Sequence, residues 1–300
     1  MAKEDCHRRI QKHSGDLALS PLTGASASTR PIGVFDSGVG GLSVLLALQR
    51  ELPHEHFVYV ADNGHAPYGE RDDAHVLGRS HVIADYLIAS HRIKALVVAC
   101  NTATAAAIHT LRAAYPDLPI IGIEPALKPA AVISKTGVIG VMATRGTLNS
   151  EKFRKLLEGL QGSATFVLQA CDGLADAIER SDANRTLALC TQYTQSMGRF
   201  GNAEGDIDCL VLGCTHYAFA APELTKLVGG QVSLIEGGQP VARQTRRLLE
   251  KMQPDTIAPN LAAQGPYAPR FYSTGQLDLL ESAVRRWLMQ ECITLPLQLA

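Results

Sequence analysis

The sequence lacks the features that mark several common classes of protein. No apolar run approaches the roughly 18–20 residues that a membrane-spanning helix requires. The 28 Lys and Arg residues nearly balance the 29 Asp and Glu residues, so the net charge of −1 offers no electrostatic basis for binding nucleic acid or a membrane surface. What remains is a chain of 300 residues, 46% of them hydrophobic, which is enough for one large or two modest globular domains.

Signals for secretion and for metal binding are missing as well. Residues 1–20 are polar and mixed in charge, without the apolar core of a signal peptide, so we expect a cytoplasmic protein. In that reducing compartment the seven cysteines are expected to be free thiols. None of them stands in a C-x-x-C pair, which argues against a zinc site or a dithiol redox centre. Cys171, Cys190, Cys209 and Cys292 are therefore predicted to be inert core residues.

Short apolar runs alternate with helical patterns after Pro31, which predicts an α/β protein with parallel sheets and right-handed crossovers. Nine strands are predicted, at residues 32–35, 57–61, 95–99, 120–123, 138–141, 165–168, 210–213, 233–235 and 270–272. Clear helical patterns lie at residues 42–50, 76–90 and 104–114. Residues 1–30 are predicted to form a flexible N-terminal extension, and residues 253–269 a surface loop.

Two cysteines, Cys100 and Cys214, lie in nearly the same local sequence. Residues 95–102 are ALVVACNT, and residues 209–216 are CLVLGCTH. Each phrase is an apolar strand, one small residue, a cysteine and then residues whose side-chain oxygens cap helices, here Asn101, Thr102 or Thr215. Cys100 and Cys214 would then lie at carboxyl ends of parallel strands, where open α/β sheets bind ligands, and beside helix N-termini, which lower the pKa of a thiol. Two thiols at matched positions indicate paired acid/base chemistry.

Three further features accompany the cysteines. Asp36 ends the first predicted strand and is followed by a glycine-rich turn that allows close backbone approach, although no dinucleotide or P-loop motif is present. The loop at residues 62–69 brings Tyr68 and Gly69 into the site only if it folds over the same cleft. His216 follows the second thiol by two residues, where it could polarise the thiol or pair with a substrate carboxylate.

Together these phrases resemble the glutamate racemases of the cofactor-independent aspartate/glutamate racemase family. The likeness spans residues 31–288 and includes GVFDSGVGGLSVL at 33–45, PYG at 67–69, CNTAT at 100–104, EPALKPA at 124–130, GCTHY at 213–217 and RFYSTG at 270–275. The resemblance implies two similar doubly wound parallel-sheet domains, with the active site in the cleft between them. Residues 31–124 plus 237–300 would form the first domain and residues 125–236 the second.

The resemblance also implies an activity, namely the interconversion of L- and D-glutamate without cofactor or metal, supplying D-glutamate for peptidoglycan. Cys100 would deprotonate the D-enantiomer and Cys214 the L-enantiomer. Asp36, His216 and Glu179 would assist catalysis; Glu179 stands eight residues after Cys171, in a phrase that here lacks the prolines of the family. The implied substrate contacts are Asp36, Ser37, Tyr68, Gly69, Asn101, Thr102, Thr144, Thr215 and His216.

Several alternatives remain open at this point. Aspartate racemase, or another racemase with a cysteine pair on the same fold, would keep both thiols and change the pocket for the side chain. A non-catalytic binding protein would tolerate the loss of either cysteine, and a thiol redox sensor would need Cys100 and Cys214 to bond. Glutamate is the expected partner, with no nucleic acid or membrane, and the resemblance leaves open both activation by a peptidoglycan precursor and a homodimer.

Overall fold

The computed structural model describes residues 29–252 and 267–299. The predicted N-terminal extension, apart from Thr29 and Arg30, and residues 253–266 of the predicted surface loop lie outside the described residues. Within the described part, ten parallel strands form two sheets. The six-stranded sheet has the order β10-β9-β2-β1-β3-β4, with β1 Ile32–Asp36, β2 Phe57–Ala61, β3 Ala95–Val98, β4 Ile120–Gly122, β9 Arg270–Ser273 and β10 Thr294–Pro296. The four-stranded sheet has the order β6-β5-β7-β8, with β5 Val138–Ala143, β6 Thr165–Ala170, β7 Cys209–Leu212 and β8 Ser233–Ile235.

The nine strands predicted from sequence are confirmed, each with its ends within two residues of the predicted ones. Strand β10 was not predicted; it pairs only with β9 at the edge of the first sheet. Leu295 and Pro296 of this strand are exposed, so the strand carries no buried apolar run. Proline is tolerated there because an edge strand needs fewer backbone N–H hydrogen-bond donors.

Both sheets are covered by helices on both faces, which explains why their central strands are apolar throughout. Along β2, Phe57 and Tyr59 belong to one core cluster, whereas Val58 and Val60 belong to another on the opposite face. The second sheet behaves in the same way, since alternate residues of β7 enter different clusters. The predicted doubly wound α/β fold with two parallel sheets is therefore confirmed.

Eleven α-helices surround the sheets in the described residues: α1 Leu42–Glu51, α2 Asp73–His91, α3 Asn101–Ala114, α4 Leu127–Ile133, α5 Arg145–Asn149, α6 Glu151–Glu158, α7 Leu174–Glu179, α8 Ala183–Met197, α9 Ala221–Val228, α10 Gly238–Met252 and α11 Leu277–Ala283. Helices α1 and α10 pack on one face of the first sheet, while α2 and α3 pack on the other. None of the helices in the described residues is long and apolar enough to cross a membrane. The boundaries of the two domains stay a prediction.

Candidate active site

The loops at the carboxyl ends of both sheets border one cavity of about 330 Å³. Loops after β1, β2, β3 and β9 contribute its first wall, and loops after β5, β6 and β7 contribute the second. Carboxyl ends of parallel strands collect at one edge of a sheet, so this is where an open α/β fold places a ligand site. Cys100 enters the cavity from the first sheet and Cys214 from the second.

Cys100 lies two residues beyond β3 and is only 5% exposed. Its thiol donates to the Ser37 hydroxyl across 3.8 Å, and its sulfur accepts from the Ala103 N–H across 3.5 Å. The cysteine itself is thus the N-cap of α3, and the expectation that Asn101 or Thr102 caps this helix is wrong. The expected lowering of its pKa is also wrong, because burial and the nearby Asp36 carboxylate raise the pKa of Cys100 well above its usual range.

Cys214 lies two residues beyond β7 and precedes a 3₁₀ turn at Thr215–Ala220 rather than an α-helix. No side chain caps that turn, so the expected cap by Thr215 is wrong. The Cys214 Sγ lies 3.7 Å from Nδ1 of His216, which is itself buried. Burial alone would lower the pKa of His216, but its hydrogen bonds to Cys214 and Glu179 outweigh that effect and raise the pKa well above its usual value. An imidazolium therefore lies beside the Cys214 sulfur.

Glu179 is the last residue of α7 and brings a carboxylate to the far side of His216. Its Oε2 accepts from Nε2 of His216 at 2.8 Å and from the backbone N–H of Val39 at 2.9 Å. Its Oε1 is buried and has no hydrogen-bond partner among the described residues. Glu179 therefore orients His216 and joins the second sheet to the glycine-rich turn after β1, although the prolines of the family phrase are missing.

The glycines of the turn after β1 make room for these side chains of the second sheet. A Cβ atom on Gly38 would lie 2.6 Å from Oε1 of Glu179. One on Gly40 would lie 2.6 Å from Oγ1 of Thr215 and would also collide with the His216 ring. The turn was expected to allow a close backbone approach, and the side chains that approach it are Glu179, Thr215 and His216.

Asp36 lies beneath the cavity instead of lining it. Its carboxylate is completely buried and accepts from the backbone N–H groups of Ser37 and Gly41 at 2.8 and 2.5 Å, and from the Thr215 hydroxyl at 3.5 Å. Burial raises the pKa of Asp36, and the positive charge of His216 opposes that shift. Ser37, rather than Asp36, makes the hydrogen bond to the thiol of Cys100. Asp36 therefore acts on Cys100 through its charge.

The cavity brings together the other predicted substrate contacts. Its lining includes Ser37, Tyr68, Gly69, Asn101, Thr102, Thr144, Thr215 and His216. The hydroxyls of Thr102 and Thr144 lie 3.2 Å apart and so connect the two walls, since Thr144 precedes α5 of the second sheet. Gly69 packs against Thr144, where a Cβ would come within 2.9 Å of the threonine Cβ.

Other residues of this site were not predicted from the sequence. Cys171, predicted to be an inert core residue, lines the cavity, and burial raises its pKa. Asp62 and Arg79 form a buried ion pair at 2.9 Å behind Tyr68. No local motif marks that pair, because its partners are 17 residues apart on a loop and a helix. Within residues 29–252 and 267–299, no cluster of three or more His, Cys, Asp or Glu side chains could hold a metal ion.

Comparison with known proteins agrees with this arrangement. The family model described as Asp/Glu/Hydantoin racemase matches residues 32–245. The chain belongs to this family. The glutamate racemase of Ectopseudomonas mendocina (strain ymp) is 46% identical to this racemase over 259 residues, which are 86% of this chain and 94% of the relative. A glutamate racemase of Ralstonia pickettii (strain 12J) is 44% identical over 257 residues, 85% and 86% of the two chains.

Solved structures show the same similarity in three dimensions. The glutamate racemase isoform RacE1 of Bacillus anthracis matches with a TM-score of 0.78 and 33% identity, covering 90% of this racemase and 98% of that chain. Escherichia coli glutamate racemase, solved with L-glutamate and the activator UDP-MurNAc-ala, matches with a TM-score of 0.77 and 28% identity, covering 90% and 99%.

Proposed function

We propose that this racemase interconverts L- and D-glutamate, with Cys100 and Cys214 as the two acid/base groups at the α-carbon. The activity is that of the curated relatives, which reach 46% identity over most of both chains. One observation carries the proposed mechanism: two buried thiols border a single cavity, each from the carboxyl end of a strand in a different sheet. This arrangement suits a substrate carbon held between them.

Inversion at carbon requires that a proton leaves one face and that another proton arrives on the opposite face. One cysteine, as thiolate, takes the α-proton; the other, as thiol, donates its proton to the carbanion-like centre. One C–H bond breaks and one forms, and the two sulfurs exchange protonation states in each turnover. The pair of thiols therefore carries one proton before and after each turnover, and two while the carbanion-like centre exists.

The surroundings of the two thiols suit different resting states. Burial and Asp36 raise the pKa of Cys100, which supports a thiol there. Cys214 lies 3.7 Å from Nδ1 of His216, which Glu179 holds from the other side, so we propose Cys214 as the cysteine that acts first as base. The ligand-free enzyme would then be ready for proton removal by Cys214 and delivery by Cys100, which the family resemblance assigns to the direction from L- to D-glutamate. In the reverse direction the proton starts on Cys214.

The α-proton of an amino acid is very weakly acidic, so the transition state needs electrostatic stabilisation. Hydroxyl and amide donors of Ser37, Asn101 and Thr215 line the cavity close to the thiols and could hold the α-carboxylate. Such donors contribute most where water is excluded, and the partly buried cavity supports that condition.

Further parts of this proposal follow from the relatives. D-glutamate would supply peptidoglycan synthesis in the cytoplasm, and residues 31–124 plus 237–300 and 125–236 would act as two domains around the substrate. The activator named in the Escherichia coli structure suggests that a peptidoglycan precursor also activates this racemase. Turnover measured with and without such a precursor tests this activation. Sedimentation tests the homodimer that the family resemblance leaves open.

The deciding experiment follows racemisation of D-glutamate by circular dichroism in deuterated water without added cofactor. Early L-glutamate should carry solvent deuterium while the remaining D-glutamate stays largely protonated. Cys100→Ser and Cys214→Ser should nearly abolish turnover, since an alcohol is a far weaker acid than a thiol. Cys190→Ala, which removes a buried thiol on α8 away from the cavity, is the matched control. Turnover of Cys214→Ser close to the parent rate would refute the two-thiol mechanism.

A further inference from the structure

Asp62 is a completely buried carboxylate that the proposed proton transfer does not use. It follows β2 directly and accepts hydrogen bonds from three side chains. Its Oδ2 accepts from the Tyr68 hydroxyl at 2.5 Å and from Nε of Arg79 at 3.0 Å. Its Oδ1 accepts from Nη2 of Arg79 at 2.9 Å and from the Thr274 hydroxyl at 2.8 Å. Asp62 therefore joins the loop after β2 to helix α2 and to the loop after β9.

Stability alone does not account for a buried pair of this kind. Removing two charges from water costs several kcal/mol, and apolar replacements of similar volume are often neutral or stabilising. The Asp62–Arg79 pair does, however, satisfy both carboxylate oxygens and fixes their direction through a two-point contact with the guanidinium. The contact with Arg79 therefore fixes the orientation of the Asp62 carboxylate.

The group that Asp62 orients belongs to the cavity wall. Tyr68 is 1% exposed, lines the cavity, and gives its hydroxyl hydrogen to Asp62. Its neighbour Gly69 is the point where this wall meets Thr144 of the opposite wall. A shift of the Tyr68 backbone would carry Gly69 with it and change the width of the cavity at that contact.

We propose that Asp62, itself oriented by Arg79, is a positioning residue that holds the Tyr68–Gly69 wall at the distance that glutamate requires. The inference rests on the proposed function, because it concerns how that same cavity binds its substrate. The proton-transferring thiols are on other loops, so loss of the Asp62–Tyr68 contact should weaken substrate binding more than it slows proton transfer.

The test is a double-mutant cycle on Tyr68→Phe and Asp62→Asn. Tyr68→Phe keeps the ring and removes only the hydroxyl, and we expect KM for glutamate to rise about tenfold, equivalent to about 1.4 kcal/mol of binding free energy. The value of kcat should change by less than about threefold, because binding and not the transition state is affected. Asp62→Asn should add little to KM in the Tyr68→Phe background, since the two residues act as one unit.

A second buried ion pair provides the matched control. Lys94 and Glu55 pair at 2.5 Å just before β3 and β2, at the end of the sheet opposite the cavity. Glu55→Gln should lower the denaturation midpoint and leave KM unchanged. Arg79→Lys, which keeps the charge and loses the two-point contact, should raise KM and serves if Asp62→Asn fails to fold.

The outcomes separate this inference from the proposed function. A wild-type enzyme that does not racemise glutamate contradicts the function itself. A wild-type enzyme that does so, with parent KM in both Tyr68→Phe and Arg79→Lys, overturns the positioning role of Asp62. A fully additive cycle, or a loss confined to kcat, overturns it as well.

Discussion

Replacing Glu179 by Gln isolates the effect of one charge behind Cys214. Both hydrogen bonds of the carboxylate, from His216 and from Val39, end on Oε2, whereas Oε1 has no partner among the described residues. A glutamine can keep its oxygen at the Oε2 position and turn its NH₂ toward the Oε1 position. The substitution therefore preserves shape and both hydrogen bonds while it removes the negative charge that stabilises the imidazolium.

The size of the effect follows from that single contact. The Glu179 and His216 side chains are 11% and 7% exposed, so solvent screens their interaction weakly. A hydrogen bond to a charged group contributes about 1.5–3 kcal/mol, and its neutral counterpart about half of that or less. The difference is about 0.8–1.5 kcal/mol, so we expect kcat/KM near neutral pH to fall about 3- to 12-fold, because each 1.4 kcal/mol corresponds to about a factor of ten.

The assay is kcat/KM across pH for both enantiomers. Loss of the charge lowers the pKa of His216 toward its usual value, so the alkaline limb of the profile should move to lower pH in Glu179→Gln. Enantiomers have equal free energies in solution, so kcat/KM must fall equally in both directions. An unchanged alkaline limb together with parent kcat/KM would refute the role assigned to the Glu179–His216 pair. Glu151→Gln, on the exposed face of α6, is the control for loss of a glutamate charge.

Three other predictions follow from the same geometry. Gly40→Ala should lower turnover by at least about 100-fold, the scale of a lost acid/base partner, because its Cβ would displace Thr215 and His216; near-normal kinetics would contradict the close approach. The pKa of His216 in the folded protein lies above its unfolded value of 6.5, so the stability that His216 adds to the folded state should be complete below that pH and should disappear as pH rises through the folded pKa. The urea midpoints of the parent and of His216→Asn should therefore converge at alkaline pH. A difference between the two midpoints that grows at alkaline pH would contradict this sign. Deleting residues 1–28 should leave turnover without activator nearly unchanged, since each predicted site residue lies at or after Asp36; a large loss of basal activity would contradict this.

Much of the fold could be predicted because its information is local. Runs such as ALVV and CLVL are apolar at every position only if both sheet faces are covered, and the helical patterns between them require parallel crossovers. The same patterns place Cys100 and Cys214 at the carboxyl ends of strands, since each cysteine stands between an apolar strand and the start of a helical segment. The edge strand β10 escaped this reasoning because its side chains are mostly exposed.

The sequence by itself determined the parallel sheets, the strand ends and the two thiols, because those depend on residues next to one another in the chain. Only the tertiary structure decided how the thiols are tuned. Glu179 meets His216 from 37 residues away and Val39 from 140, and Asp62 meets Thr274 from 212. Burial likewise depends on everything packed around a group, which is why a helix N-terminus predicted a lowered pKa for Cys100 and desolvation produced a raised one.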